Sequence, residues 1–456
     1  MRTWKKVAWV VLRRKIYDDL LCWKKASNGS SALLLSGARR VGKSYICRMF
    51  GETEYKSMIL IDFSNIPDKV KSVFENDRTD LDMFFSKISA YYNTVLYARQ
   101  SLIVFDEVQL YPPARQLIKH LVSDGRYDFI ETGSLISIKQ NVKDILIPSE
   151  ETELEMHPLD FEEFLWAMGD EATTTFLRHC FEGLTPLGQA LHHKVMNDFR
   201  QYMLVGGMPQ AVKAYAGGKD FRAADSEKKS ILKLYRNDIT KYAAGYKGKV
   251  TAIFDALPGQ LSKKEKKYKL SSVVKNARLR DYENAFMWLA DGMIANPCFN
   301  ATEPNVGLAL SLDHSTHKLY MADTGLLVTH AFGDRNYVDN ALYRAILLDE
   351  LNINEGMLIE NIVAQTLKRN GHNLFFYSRN DPKSRSNTME IDFLISKNMK
   401  ICPIEVKSSA YRPHSSLDKF RAKFSRTLGD AFILYTKDVM VKDGVIHLPI
   451  YMAMFL

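Results

Sequence analysis

Cysteine is scarce in this chain. Cys22, Cys47, Cys180, Cys298 and Cys402 are the only five among 456 residues, and no two stand in a C-x-x-C spacing. That argues against a cysteine zinc site and against a disulfide framework, and it fits a reducing, cytoplasmic setting. Long hydrophobic runs are missing as well. The longest apolar stretch near the start, Val7 to Leu12, is far shorter than the roughly 20 residues that span a bilayer. It has Lys and Arg on both sides and no small-residue cleavage site, so it reads as one face of a helix, with no membrane partner expected. Internal repeats and low-complexity tracts are absent, which leaves no compositional sign of a repeat array or of extensive disorder. What is present is ordinary globular material: 46% hydrophobic residues, in a length suited to roughly three domains. The net charge of +9 allows a polyanionic partner such as DNA, although a solvated basic surface accounts for it equally well. Oligomeric state is not legible.

Residues Gly37-Ala38-Arg39-Arg40-Val41-Gly42-Lys43-Ser44 complete the pattern G-x-x-x-x-G-K-[ST], and Ala32-Leu33-Leu34-Leu35 leads straight into it. The glycines let consecutive backbone N–H groups turn toward phosphate oxygens, Lys43 reaches the outer phosphates, and the Ser44 hydroxyl can hold Mg²⁺. The helix expected from Tyr45 onward presents its positive end to those phosphates. Gly37, Ala38, Arg39, Arg40, Val41, Gly42, Lys43, Ser44 and Tyr45 are therefore the expected nucleotide-binding segment, for ATP or GTP.

Strand-like runs recur at Met58–Phe63, Leu102–Asp106 and Tyr127–Thr132, separated by helical patterning, and Glu153–Met156 follows. The alternation specifies an α/β fold with a parallel sheet covered by helices on both faces. The run ending Val104-Phe105-Asp106-Glu107 delivers carboxylates to the carboxyl end of that sheet, where ligands of open α/β sheets sit. Asp106 is the expected Mg²⁺ partner, and Glu107 is placed to polarise the attacking water. Thr132, ending the next strand, puts a hydroxyl near both carboxylates. Arg39, Arg40, Arg126 and Arg236 are unranked candidates for an arginine finger.

From about 165 to 245 the pattern is helical, broken at Gly206-Gly207-Met208-Pro209. Residues 263 to 280 are the densest basic stretch; a helix with Tyr282, Phe286 and Leu289 on one face follows, then strand-like Lys318-Leu319-Tyr320-Met321. Together they suggest a winged helix-turn-helix. The boundaries expected are 1–165 for the nucleotide-binding core, 166–340 for the helical and winged-helix region, and 341–456 for a third, α/β domain.

In the last domain, Met389 to Ile395 and Ile401 to Lys407 alternate polar and apolar residues about a turn at Lys397–Lys400. Pairing Ser396 with Ile401 sets Asp392 opposite Glu405, about 5 Å apart and beside Lys407. Two carboxylates that close favour a bound cation, and Mg²⁺ suits such oxygen donors. Asp392 and Glu405 are the expected ligands, Glu360 a third, and Lys407 a stabiliser of developing charge in a nuclease reaction. The alternatives for this set are an ordinary charged hairpin face, or a nuclease scaffold retained for binding only.

These motifs, in this order, resemble the bacterial and archaeal AAA-type P-loop ATPases that carry a C-terminal domain of unknown function with a restriction-endonuclease-like core. The likeness is carried by Gly37–Ser44, Leu102–Gln109, Glu131–Ser134, His157-Pro158-Leu159 with Phe161–Leu165, Gly206–Pro209, Leu319–Leu327, Glu390–Asp392 and Glu405–Ser409. It implies ATP with Mg²⁺, a winged-helix middle segment and a PD-(D/E)xK-like C-terminal fold. Ser44 stands where relatives often have Thr, and Arg39-Arg40 where they often have Arg-Gln; neither change removes a ligand. The function expected is an ATPase that drives a winged-helix and nuclease-like region on DNA. The alternatives are a metal-dependent DNA nuclease regulated by ATP, and a nucleotide-switched binding module.

Overall fold

The structure is a computed structural model that describes residues 12–134, 150–243, 245–263, 267–274, 277–332, 355–379, 388–408 and 415–456. Most of the apolar stretch near the start, parts of the basic stretch 263–280, the boundary expected near 340, and Ser409 lie outside the described residues. The chain divides into two compact units, one built on Arg14–Pro158 and the other on Leu159–Ala290 with Ile294–Leu456.

The first unit runs α1 (Ile16–Ser27), β1 (Ala32–Gly37), α2 (Lys43–Glu54), β2 (Ser57–Asp62), α3 (Asp68–Asn76), α4 (Leu81–Tyr91), β3 (Ser101–Asp106), α5 (Pro112–Asp124), β4 (Asp128–Gly133) and β5 (Glu151–Met156). Its strands form one five-stranded sheet in the order β2-β3-β4-β1-β5, every neighbouring pair parallel. Every residue of β1, β3 and β4 is buried, which is why these strands read as continuous rather than alternating apolar runs. Alternation still sorts the faces. Leu102, Val104 and Ile130 pack with Ile46 and Phe50 of α2, while Ile103, Phe105 and Phe129 pack with Phe74 of α3, Phe84 of α4 and Ile118 of α5. Each such fully buried side chain contributes roughly 1.5–3 kcal/mol, so the sheet is held from both sides and its carboxyl edge is rigidly placed.

In the second unit the side chain of Asp160 caps the first helix after Leu159 in a reciprocal capping box with Glu163. Its helices are α6 (Phe161–Ala167), α7 (Thr173–Gly183), α8 (Gln189–Val205), α9 (Pro209–Ala216), α10 (Phe221–Tyr242), α11 (Lys247–Leu261) and α12 (Glu283–Asp291). There follow β6 (Ala295–Ala301), β7 (Leu312–Met321), α13 (Thr324–Phe332), α14 (Glu355–Arg369), β8 (Phe375–Arg379), β9 (Met389–Lys397) and β10 (Lys400–Val406). The last described elements include α15 (Ser415–Phe424), β11 (Phe432–Tyr435), β12 (Met440–Lys442) and β13 (Val445–Pro449). A single mixed sheet of eight strands runs β12-β13-β11-β10-β9-β8-β6-β7. The segment Lys318–Met321, assigned from sequence to a winged helix-turn-helix, is the end of β7, the edge strand of that sheet. It is joined through β6, which pairs in parallel with β8. The hairpin of β9 and β10 has Ser396 opposite Ile401 and Phe393 opposite Ile404, the register expected from its alternation.

Two sequence motifs meet inside this unit. Gly206-Gly207 ends α8, and the Gly207 N–H donates to Asp323 Oδ2 at 2.6 Å, while Leu326 N donates to Asp323 Oδ1 at 2.8 Å. The Gly207 carbonyl in turn accepts from Leu159 N at 2.7 Å, and Tyr202 donates its hydroxyl to the Leu159 carbonyl at 2.8 Å. A side chain at Gly207 would place its Cβ 2.1 Å from the Leu159 carbonyl oxygen, so the close approach itself requires glycine. Gln365 of α14 completes the cluster, donating to Tyr202 and accepting from Thr324 N.

Candidate functional site

The phosphate-loop motif forms the connection from β1 to α2. Gly42 caps α2 with φ 103°, and no side chain satisfies the helix's first N–H groups. The first turn of α2 carries no acidic residue, so its partial positive charge is uncompensated and suited to an anion. Arg40 also has positive φ, at 69°. Lys43 is buried and its ammonium donates to the carbonyls of Gly37 at 2.9 Å and Ala38 at 3.1 Å, lying across the loop that precedes it. Burial pulls its pKa below the ordinary lysine value, and the carboxylates of Glu107 and Asp106 oppose that shift. Arg39 and Arg40 are exposed, and Tyr45 stands well out from α2.

Strand order decides what faces this loop. Because β4 lies between β1 and β3, the end of β4 brings Thr132 beside the end of β3. Ser44 Oγ donates to Asp106 Oδ1 at 2.7 Å, and the Thr132 hydroxyl donates to the same oxygen. Thr132 Oγ1 also accepts from Glu107 N at 3.2 Å. Glu107 adopts a left-handed conformation, φ 55° and ψ 44°, and its carboxylate accepts from Gln109 Nε2 at 2.5 Å. Ser44, Asp106, Thr132 and Glu107 are thus one cluster. A hydroxyl and a carboxylate converging below a phosphate loop are hard oxygen donors of the kind Mg²⁺ takes together with nucleotide phosphates.

Of the finger candidates, Arg126 is engaged by Asp124 and Asp82, each at 2.6 Å, and Arg236 by Asp255 at 2.5 Å. Two functional-looking residues escaped the sequence reading. Arg14 is buried and donates to the Val41 carbonyl of the phosphate loop at 3.1 Å and to the His157 carbonyl at 2.6 Å. Nothing in its sequence neighbourhood signals this. Gln109 could have been suspected, since it follows Glu107 by two positions across a turn.

In the second unit, Asp392 and Glu405 lie on adjacent strands, one position beyond the pair Phe393 and Ile404, and Asp392 Oδ2 accepts from Val406 N at 2.8 Å. Glu405 Oε1 pairs with Lys407 Nζ at 3.3 Å, while its other oxygen is buried without a partner. Burial, with Asp392 adding to it and Lys407 opposing it, pushes Glu405 up to about 7. Glu360 is engaged elsewhere. Lys318, 1% exposed, places its ammonium 3.3 Å from Glu360 Oε1, 3.2 Å from Glu390 Oε1 and 3.8 Å from Asp392 Oδ1, and Tyr320 donates its hydroxyl to the same Glu360 oxygen. Lys318 was the missed residue here. Its signal was the period-two alternation of Lys318 and Tyr320 on one face of a strand. Among the described residues no group of three or more His, Cys, Asp or Glu side chains is arranged to hold a metal ion.

Comparison with known families gives three matches along the chain. Residues 29–165 match the AAA domain, residues 196–336 a domain of unknown function (DUF8612), and residues 355–452 another (DUF4143). Among curated proteins none matches. Among solved structures, the Walker-type ATPase of Pyrococcus abyssi is 16% identical with a TM-score of 0.42, the alignment covering 71% of this chain and 96% of that one. The Orc1 protein of Aeropyrum pernix, solved in complex with DNA, is 10% identical with a TM-score of 0.27, covering 73% of this chain and 96% of that one. Cdc6p from Pyrobaculum aerophilum is 11% identical with a TM-score of 0.27, covering 76% and 97%. No helix among the described residues is long and apolar enough to cross a membrane. With its parallel sheet and complete phosphate loop the first unit has the fold of a P-loop NTPase, and residues 29–165 within it and just beyond match the AAA domain.

Proposed function

We propose that the protein binds ATP with Mg²⁺ on Gly37–Tyr45, hydrolyses it, and uses the nucleotide cycle to alter the state of its second unit on DNA. The observation that carries this reading is the convergence of Ser44 and Thr132 on one oxygen of Asp106, directly beside Glu107. Ser44 and Asp106 would hold the Mg²⁺, which supplies neutralisation of charge on the transferring phosphoryl group. Lys43 and the free N–H groups of α2 bind and orient the outer phosphates. Glu107 accepts a proton from the attacking water, and Thr132 fixes the backbone of Glu107 through its N–H. The ATP preference over GTP rests on the family resemblance alone. For DNA the support is the net charge of +9 and the exposed Lys269, Arg278 and Arg280 near α12, which suit backbone phosphates.

Equilibrium binding and steady-state hydrolysis of ATP test the assignment in the full chain. Lys43→Ala abolishes binding or turnover, and Glu107→Gln keeps binding while stopping turnover. Parental hydrolysis in Lys43→Ala would sink the reading. For the second unit, the position of Lys318 among the carboxylates favours a nucleotide-switched recognition module over an ATP-regulated nuclease.

A further inference from the structure

We propose that Lys318 is a resident cation of the second unit, its ammonium held by Glu360 and Asp392, two of the three carboxylates that a nuclease reading assigns to a divalent ion, so that this unit acts without metal-dependent phosphodiester cleavage.

The placement is built by the fold. β7 is an edge strand held by β6, with Lys318 opposite Cys298, and its side chain runs inward to meet carboxylates from α14 and β9. Three carboxylates contribute oxygens within 3.8 Å of one ammonium. An ammonium offers three donors and no acceptor, so three oxygens are the partners it needs when water is excluded. Glu360 Oε1 receives the Tyr320 hydroxyl as well, and Asp392 Oδ2 is taken by the Val406 amide. Glu360 Oε1 and Asp392 Oδ2, two oxygens that would ligate a metal, thus already have hydrogen-bond donors.

Mg²⁺ demands near-octahedral oxygen geometry and gives up its waters reluctantly. To enter, it would either stand beside a buried positive charge or displace Lys318. A buried lysine stripped of its carboxylates is strongly disfavoured, and Lys318 has the ring of Phe376 at 5.0 Å on another side. Glu405 Oε2 is buried without a partner, a single oxygen rather than a ligand set. Glu390 and Asp392 remain partly exposed, and their negative charge, uncovered by any divalent ion, disfavours approach of a phosphodiester.

The inference does not depend on the ATPase reading. It is tested on nucleotide-free full-length protein by titrating Mn²⁺ and following the free ion by electron paramagnetic resonance, comparing the parent with Asp392→Asn and Lys318→Met. Any ion held at Ser44 and Asp106 contributes equally to all three and cancels in the comparison. Parent and Asp392→Asn are expected to give the same isotherm, and Lys318→Met to gain one Mn²⁺ per chain with a Mn²⁺-dependent rise in its unfolding temperature. A parental site lost in Asp392→Asn overturns the proposal. So does Mn²⁺-dependent nicking of plasmid by the parent that disappears in Asp392→Asn, and so does a folded Lys318→Met that binds no additional Mn²⁺. Should Lys318→Met not fold, the pair of parent and Asp392→Asn decides alone.

Discussion

Ser44, at the start of α2, and Asp106, at the end of β3, are 62 residues apart in the chain, and their side-chain oxygens are 2.7 Å apart. The contact ties the helix that follows the phosphate loop to the strand that carries the acidic pair. It exists because β4 inserts between β1 and β3 and sets the spacing of their carboxyl ends. The same insertion supplies Thr132, so three elements meet on one carboxylate.

Thr132 therefore acts on the geometry of the acidic pair from the side. Thr132→Val keeps the shape and removes both the donor to Asp106 and the acceptor for Glu107 N. A hydrogen bond to a charged group contributes about 1.5–3 kcal/mol, which corresponds to roughly a 10- to 150-fold loss. The loss is expected mainly in kcat for ATP hydrolysis, with KM changed little, because the contact orients Glu107 and does not touch the nucleotide. Equal effects on KM and kcat would show that Thr132 binds substrate instead.

Arg14 anchors the back of the phosphate loop. Its guanidinium bridges the carbonyls of Val41 and His157, the second of which lies just past β5. Arg14→Ala leaves two carbonyls short of their donor and is expected to lower the unfolding free energy by about 1–3 kcal/mol, read by urea denaturation. KM for ATP should rise as well, because the loop loses a fixed wall. Arg14→Lys, a point charge in place of a planar fork, should recover only part of either effect.

Much of this was legible beforehand, and the reason differs from residue to residue. Gly37 to Ser44 and Asp106-Glu107 are legible because their patterns are local: Gly42 takes a φ of 103° that favours glycine, and the strand that ends at Asp106 is buried throughout. The Ser396–Ile401 register followed from period-two alternation about a short turn. Arg14 was not legible, since a lone basic residue before a helix carries no spacing signal; the alternation of Lys318 with Tyr320 marks a strand face, but its carboxylate partners are brought near only by the fold. The strand Lys318–Met321 reads from sequence as part of a winged helix; it pairs antiparallel with β6, and its place in the larger sheet depends on the parallel pairing of β6 with the distant β8, which no local pattern signals.

The meeting of Gly207 with Leu159 is tight enough to predict a stability defect. Gly207→Ala puts a Cβ 2.1 Å from the Leu159 carbonyl oxygen, and the backbone on both sides is pinned by Asp323 and Tyr202. Overpacking of this kind costs about 1–3 kcal/mol, occasionally more, so a lowered unfolding temperature is expected by calorimetry. Asp323→Asn, which keeps one acceptor oxygen, should be milder. If Gly207→Ala unfolds like the parent, the contact is looser than drawn.

Glu405 predicts a pH dependence whose sign follows from its raised pKa. The carboxyl is buried, and it moves from an ordinary value near 4.5 to about 7 in the folded chain. Between those values the unfolded chain releases the proton while the folded chain retains it. Stability is therefore greatest below about 4.5 as far as this group is concerned, and falls as pH rises toward 7, where the loss levels off. At about 1.4 kcal/mol per unit the full contribution is roughly 3 kcal/mol, opposed by Lys407 and reinforced by the neighbouring Asp392. Urea denaturation of the parent at pH 5 and pH 8 should show that fall superimposed on the other titrations. Glu405→Gln, neutral at both, should be less sensitive by the same amount and more stable than the parent at pH 8; equal slopes in the two proteins would place the titration on another group.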